Sequence, residues 1–161
     1  MKIIKMDPKD PDLDLIDEAI EVLAQGKLVI YPTDTIYGLG ANIFDENAVN
    51  KIYNIKKRDK SKSLSICLSS IEAISFIANI PKIYEDLLIR NLPGPFTFLI
   101  QKKAIVPKYL LSNTKNHSLI SKNGDIETKI GVRVPDCKIA MALAQVFPIT
   151  ATSANLSGQP T

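Results

Sequence analysis

Several residue types that mark common kinds of protein are scarce in this chain. Its 161 residues include no tryptophan, one histidine and two cysteines. Cys67 and Cys137 lie far apart and in no Cys-x-x-Cys pair, which argues against a disulfide framework. His117 alone supplies neither a zinc site of the Cys/His type nor the histidine-centred triad of a hydrolase. The phosphate-binding patterns GxxxxGK(S/T) and GxGxxG are also absent, so the usual phosphate-binding loops are excluded.

Long apolar runs and a strong charge of one sign are missing too. No stretch approaches the roughly 18–20 apolar residues that span a bilayer. The N-terminus is polar within its first residues and does not resemble a signal peptide. The net charge of +3 is too small to require a nucleic-acid partner. We therefore predict a cytoplasmic protein with no membrane partner.

What is present indicates one α/β domain over residues 1–161, with 45% hydrophobic residues to build its core. Helical spacing of apolar residues predicts helices over residues 11–25, 45–55, 69–77, 81–92 and 136–146. Short apolar runs predict strands over residues 28–31, 64–68, 96–101, 130–134 and 147–150. Their alternation predicts a twisted sheet of mixed parallel and antiparallel strands flanked by helices. The polar, aperiodic residues 112–129 are predicted to form a long surface loop.

Two polar segments follow predicted strands, where ligands of α/β proteins tend to bind. The first carries hydroxyls at Thr33, Thr35 and Tyr37. The second is Ser153-Ala154-Asn155. Each has a plainer interpretation as a turn whose side chains bond to its own backbone.

Basic residues are concentrated in residues 56–62, which hold five cations in seven positions. Arginine offers a planar fork for phosphate oxygens and lysine a point charge. The alternative is a solvated run that complements the C-terminus of a helix. Apart from this segment, another cation, Arg133, lies inside a predicted apolar strand. It needs either an internal salt bridge or an anionic ligand.

Five motifs, in this order and spacing, resemble the YrdC domain family, the L-threonylcarbamoyladenylate synthases. They are YPTDTIYGLGAN from Tyr31, Lys-x-Arg at Lys56, PGPFT from Pro93, GVRVP from Gly131 and TSANLSG from Thr152. The resemblance covers nearly the whole chain. It implies a YrdC-like fold with a concave basic cavity, and synthesis of threonylcarbamoyl-AMP from L-threonine, bicarbonate or CO₂, and ATP. Pyrophosphate is released, and the product serves the modification of tRNA beside the anticodon.

The resemblance also implies roles for individual residues. Lys56 and Arg58 would be catalytic. The expected ATP contacts are Lys56, Arg58, Lys62 and Asn155. The expected L-threonine contacts are Thr35, Cys67, Arg133 and Ser153, where Cys67 stands at a position that many members give to histidine. Mg²⁺ would accompany ATP, without metal-ligating residues from the protein.

The resemblance further implies a tRNA-modifying transferase complex as partner, with tRNA itself as a second candidate partner. The family's C-terminal continuation is expected after Thr161, where this sequence ends. Two other interpretations stay open. One is a module that binds double-stranded RNA or tRNA through the basic residues. The other is a paralogue that adenylates a carbamoyl group without specificity for threonine.

Overall fold

A computed structural model describes residues 2–111, 118–120 and 126–160 of the chain. The helices are α1 (Leu13–Ala24), α2 (Glu46–Lys56), α3 (Ile74–Ile77), α4 (Glu85–Asn91) and α5 (Lys138–Leu143). The strands are β1 (Val29–Tyr31), β2 (Gly38–Gly40), β3 (Ser65–Cys67), β4 (Ala78–Asn79), β5 (Phe98–Lys102), β6 (Ser118–Ile120), β7 (Ile126–Arg133) and β8 (Ile149–Ser153). Two 3-10 turns cover Lys82–Tyr84 and Lys108–Leu110.

The predicted mixed sheet is confirmed. Its strands lie in the order β1-β2-β8-β3-β7-β5-β4, and β6 pairs with β7. Strands β3 and β7 run parallel, with Cys67 beside Arg133, whereas the other described pairs are antiparallel. This order brings β2, β8, β3 and β7 side by side at the centre of the sheet. The polar segments that follow β1 and β8 in the sequence therefore lie close together.

Both faces of the sheet are buried around the central strand β3, each by a different set of helices. Ile66 belongs to a core cluster that includes α2, whereas the next residue, Cys67, belongs to a cluster with α1 and α5. Successive side chains of a strand point to opposite faces, which explains this division. The two helix layers hold the central strands between them and fix the ends from which the polar segments emerge.

The first two helices begin and end where the sequence predicts, within two residues. The carboxylate of Asp12 accepts from the backbone N–H of Asp14 at 3.0 Å and caps α1. Gly26, with φ of 69°, provides the left-handed residue after its end. Asp45 caps α2 by accepting from Ala48 N–H at 3.0 Å. Lys57 follows that helix in the left-handed region, with φ of 49°.

Three features of the sheet were not predicted. Strand β4 lies between two predicted helices and pairs with β5. Strand β2 was interpreted as part of a loop, and the predicted loop over residues 112–129 is wrong where it covers β6 and the start of β7. Ser118 pairs with Thr128 in an antiparallel register. The alternation of Ile126, Thr128 and Ile130 with charged residues is a strand pattern that the polar composition obscured. Residues 112–117 and 121–125 lie outside the described residues.

Within the described parts of the chain, no helix combines the length and the apolar composition that crossing a membrane requires.

Candidate functional site

The loop after β1 is held by its own hydroxyls and by a neighbouring strand. Thr33 Oγ1 donates to Ile36 O at 2.6 Å and accepts from Thr35 N–H at 3.1 Å. The plainer interpretation, a turn bonded to its own backbone, therefore holds for Thr33. Thr35 differs, because its hydroxyl also accepts from Arg133 Nη2 at 3.0 Å. This bond joins the loop to the end of β7.

Arg133 forms an internal ion pair with Asp34, the first of the two alternatives that its position left open. Its Nη2 donates to the Asp34 carboxylate, and the two side chains are only 16% and 12% exposed. Asp34 Oδ2 also accepts from Asp136 N–H at 3.3 Å. Among the described residues, Arg133 Nε is the buried side-chain polar atom without a hydrogen-bond partner. The guanidinium therefore retains capacity to donate to a further acceptor.

A small cavity of about 60 Å³ lies beside Arg133. Its lining includes three of the four residues predicted to contact threonine, namely Cys67, Arg133 and Ser153. The fourth, Thr35, lines an adjoining open cleft of about 600 Å³. Thr33, Ile36 and Tyr37 line both spaces, so the cavity and the cleft are neighbours. The structure thus brings the predicted amino-acid contacts together around one concavity.

Cys67 is neutral in this site. Its side chain is fully buried, and burial raises the pKa of the thiol to about 12 despite the nearby Tyr31 hydroxyl and Arg133, which act in the opposite direction. A thiol with such a pKa is protonated at neutral pH and is a poor nucleophile. Cys67 can therefore shape the cavity and form weak hydrogen bonds, but it supplies no charge.

The basic segment divides into one buried cation and several outward-facing ones. Lys56 is 2% exposed, whereas Lys57, Lys60 and Lys62 are exposed. For these three the solvated-run interpretation agrees with the structure. Lys56 Nζ instead donates to Ser153 O, to Asn155 O at 2.6 Å and to Asn155 Oδ1 at 3.2 Å. Burial lowers the pKa of Lys56, and the nearby charge of Arg58 lowers it further.

Arg58 stabilises the loop after α2 and retains guanidinium N–H groups that the loop does not use. Its Nε donates to Lys62 O at 3.3 Å and its Nη2 to Ser63 O at 2.8 Å. A guanidinium carries five N–H groups, so most of its donors remain for a ligand. The side chain is half-buried, and Lys62 beside it is exposed. Arg58 therefore presents a fixed fork of the kind that binds phosphate.

The segment after β8 connects the two groups of predicted residues. Ala154 N–H donates to Tyr37 O at 2.9 Å, which ties the segment to the polar loop. Ser153 Oγ donates to Asn155 Oδ1 at 2.5 Å, and Asn155 Nδ2 donates to Gln159 O at 2.6 Å. Ser153 faces the small cavity, whereas Asn155 contacts Lys56. The two polar strand ends thus form one continuous site.

Sequence reasoning missed three residues of this site. Asp34 was quoted only within a motif, although it is the partner of Arg133. Tyr31 was assigned to a strand, yet its ring lies against Gly38 and its hydroxyl donates to Thr150 O at 2.9 Å. Thr97 was placed in a structural turn, but it lines the small cavity. Of the three, only Asp34 could have been recognised from the sequence, because it lies between two candidate threonines. The roles of Tyr31 and Thr97 depend on contacts between distant parts of the chain.

Comparison with known proteins gives curated relatives of similar sequence. A putative threonylcarbamoyl-AMP synthase of Methanocaldococcus jannaschii is 37% identical over 137 residues, which cover 85% of this chain and 58% of the relative. The threonylcarbamoyl-AMP synthase of Pyrococcus abyssi is 39% identical over 141 residues, which cover 86% of this chain and 38% of the relative. The chain thus spans about half the length of these two relatives.

Solved structures share the fold. The P. abyssi Sua5 complexed with L-threonine superposes with a TM-score of 0.83 at 36% identity, covering 99% of this chain and 44% of that one. Escherichia coli YciO superposes with a TM-score of 0.81 at 29% identity, covering 96% of this chain and 70% of that one. The family model named Sua5/YciO/YrdC and described as telomere recombination matches residues 21–161. With this match over most of its length, the chain belongs to the Sua5/YciO/YrdC family.

Proposed function

We propose that this chain synthesises L-threonylcarbamoyl-AMP from L-threonine, bicarbonate or CO₂, and ATP, with release of pyrophosphate. The observation that carries the proposal is the continuity of the site. An arginine-bearing cavity lined by Cys67, Arg133 and Ser153 joins, through Asn155, the segment that carries Arg58. The names of the archaeal relatives and the threonine-bound Sua5 structure support the same activity.

Threonine would bind where the small cavity opens into the adjoining cleft, with its carboxylate at Arg133. The buried Nε of that residue has no acceptor in the described part of the chain, and an arginine fork suits a carboxylate. Thr35, already bonded to Arg133, would help to orient the carboxylate, and Ser153 would meet the amine. Cys67 would pack against the amino acid as a neutral group.

ATP would lie along the basic segment, with Arg58, Lys62 and Asn155 as its contacts. Arg58 has unused donors, and Lys62 is exposed. Mg²⁺ would arrive with the nucleotide phosphates, because the described residues group no three histidine, cysteine or acidic side chains able to hold a metal. The concave basic character of the whole cavity stays a prediction.

The proposed chemistry has two steps. The neutral amine of threonine attacks CO₂, forms a C–N bond and loses a proton to water, which gives an N-carboxylate. An oxygen of that carboxylate then attacks the α-phosphorus of ATP, and the bond from this phosphorus to the bridging oxygen breaks to release pyrophosphate. Negative charge grows on phosphate oxygens in the second step, so a pre-placed cation such as Arg58 stabilises the transition state. Arg133 contributes by holding threonine in line.

The product would then pass to a tRNA-modifying transferase complex in the cytoplasm. RNA binding is the second candidate function, and the exposed side chains of Lys57, Lys60 and Lys62 favour it because phosphate contacts rely on such cations. An RNA-binding module would bind RNA with an affinity that ATP and threonine do not change. Competition experiments with and without both substrates separate the two functions.

The decisive test measures pyrophosphate release with all three substrates, and then with threonine or bicarbonate omitted. The wild-type chain should release pyrophosphate only with the full set. Arg58→Ala should lose most of this activity, by about a hundredfold or more if the arginine acts on the transition state. The neighbouring exposed cation provides a matched control, since Lys57→Ala should stay near wild type. Near-normal turnover of Arg58→Ala would remove its assigned role.

A further inference from the structure

Lys56 uses its whole hydrogen-bonding capacity within the protein. An ammonium group has three N–H donors and no acceptor. The structure places three acceptors around Lys56 Nζ, which are Ser153 O, Asn155 O and Asn155 Oδ1. The side chain is 2% exposed. No donor is left for a phosphate oxygen, and burial keeps a bulky anion away from the ammonium.

The backbone of Lys56 also binds the segment that follows β8. Ser157 N–H donates to Lys56 O at 2.9 Å. Lys56 is the last residue of α2, where carbonyl groups lack helical partners and a positive charge is favoured. Residues 153–157 are therefore bound to the C-terminal end of α2 through both the main chain and the side chain of one residue.

These bonds determine which groups Ser153 and Asn155 can offer to a ligand. Because an ammonium only donates, the amide oxygen of Asn155 must face Lys56. The same oxygen accepts from Ser153 Oγ at 2.5 Å. The hydroxyl proton of Ser153 is thus committed, and its oxygen faces the cavity as an acceptor. Asn155 Nδ2 donates to Gln159 O at 2.6 Å and keeps one N–H for a ligand.

We propose that Lys56 is a positioning residue that contacts neither ATP nor threonine. It holds Ser153 as a hydrogen-bond acceptor for the amino-acid amine and Asn155 as a donor for the nucleotide. This inference rests on the proposed function and departs from the expectation of the sequence analysis, in which Lys56 is catalytic and contacts ATP. A single buried cation then controls both halves of the site.

Threonine binding without ATP separates positioning from phosphate contact. Lys56 does not line the small cavity, so a phosphate-binding lysine would leave threonine affinity unchanged when it is replaced. Under the proposal, Lys56→Met frees Ser153 and Asn155 and weakens threonine binding by about tenfold, the effect of one lost hydrogen bond. Lys57→Met makes the same chemical change at the adjacent exposed position and should bind threonine as wild type does.

Isothermal titration calorimetry of each folded variant with L-threonine provides the measurement, and a parallel titration with AMP and ATP adds a second readout. Positioning predicts the same fold loss for both nucleotides, whereas a contact with the β- or γ-phosphate predicts a larger loss for ATP. If Lys56→Met does not fold, Lys56→Gln, which keeps two donors but no charge, takes its place in both titrations. Unchanged threonine affinity together with an ATP-selective loss would overturn the proposal.

Failure of the proposed function and failure of the positioning role of Lys56 give different results. If the wild-type chain binds threonine and releases pyrophosphate but the Lys56 variants bind threonine normally, the proposed function stands and the positioning role is wrong. If the wild-type chain binds no threonine and releases no pyrophosphate with all substrates present, the proposed function fails and the role of Lys56 fails with it.

Discussion

Asp34→Asn should destabilise the fold more than an ordinary loss of an ion pair, because it leaves a mostly buried arginine without a counter-charge. The Arg133 and Asp34 side chains are 16% and 12% exposed. Two unit charges about 4 Å apart attract by about 4 kcal/mol at an effective dielectric constant of about 20. Removing one partner of a fully buried pair costs about 3–5 kcal/mol. The residual exposure places our expectation at the low end, about 3 kcal/mol.

The exposed pair Lys2–Glu18 provides the control, since its side chains are 66% and 41% exposed. Glu18→Gln should change the free energy of unfolding by less than about 1 kcal/mol. Urea denaturation of the wild type and both variants gives these free energies, and similar m values confirm that the same surface unfolds. The double variant Asp34→Asn/Arg133→Met should cost less than the sum of the two single changes, because the uncompensated charge is gone.

Equal changes in the free energy of unfolding for the two ion pairs would refute this reasoning. If Asp34→Asn and Glu18→Gln both stay within about 0.5 kcal/mol of wild type, the Arg133 charge is solvated and needs no partner. Additive effects in the double variant would lead to the same conclusion. In either case Arg133 would not be fixed in position to bind a carboxylate, and the proposed threonine site would lose its main structural support.

Two further predictions concern the buried side chains behind the cavity. Gly38→Ala places a Cβ 2.7 Å from Tyr31 Cζ, so it should lower the free energy of unfolding by about 1–3 kcal/mol through overpacking, and Tyr31→Leu in the same chain should relieve part of that loss. For Cys67, burial raises the pKa from 9.0 to about 12, so its stability contribution is complete below pH 9 and is lost as pH rises from 9 to 12. Each pH unit in that window should lower the free energy of unfolding of the wild type by about 1.4 kcal/mol relative to that of Cys67→Ala. A difference between the two proteins that does not change with pH would contradict this.

The helices show what the sequence could predict. Asp12 and Asp45 are side chains that cap the helix directly following them, so α1 and α2 could be placed within two residues. Their apolar stripes point to the core by local periodicity alone. The strand order could not be obtained in this way, because pairing of β3 with β7 and β8 joins segments far apart in the chain.

Strand β2 and the contacts of Lys56 show why other features could not be predicted. Gly-Leu-Gly has little strand propensity, and β2 is a strand because β1 and β8 pair with it on both sides. Lys56 reads as one cation among five, and its burial results from carbonyl groups contributed about a hundred residues later. The motif identified the position, whereas the side chain's partners come only from the tertiary fold.

The contact of Tyr31 with both glycines of β2 has a consequence for attempts to enlarge the small cavity. A Cβ at Gly40 would lie 3.0 Å from the Tyr31 ring, close to the 2.7 Å found at Gly38. A side chain at Gly38 or Gly40 fits without strain only after the Tyr31 ring is made smaller, and a smaller ring alone leaves a void. Single substitutions at these three positions should therefore each destabilise the fold, so a wider cavity requires the three positions to be varied together.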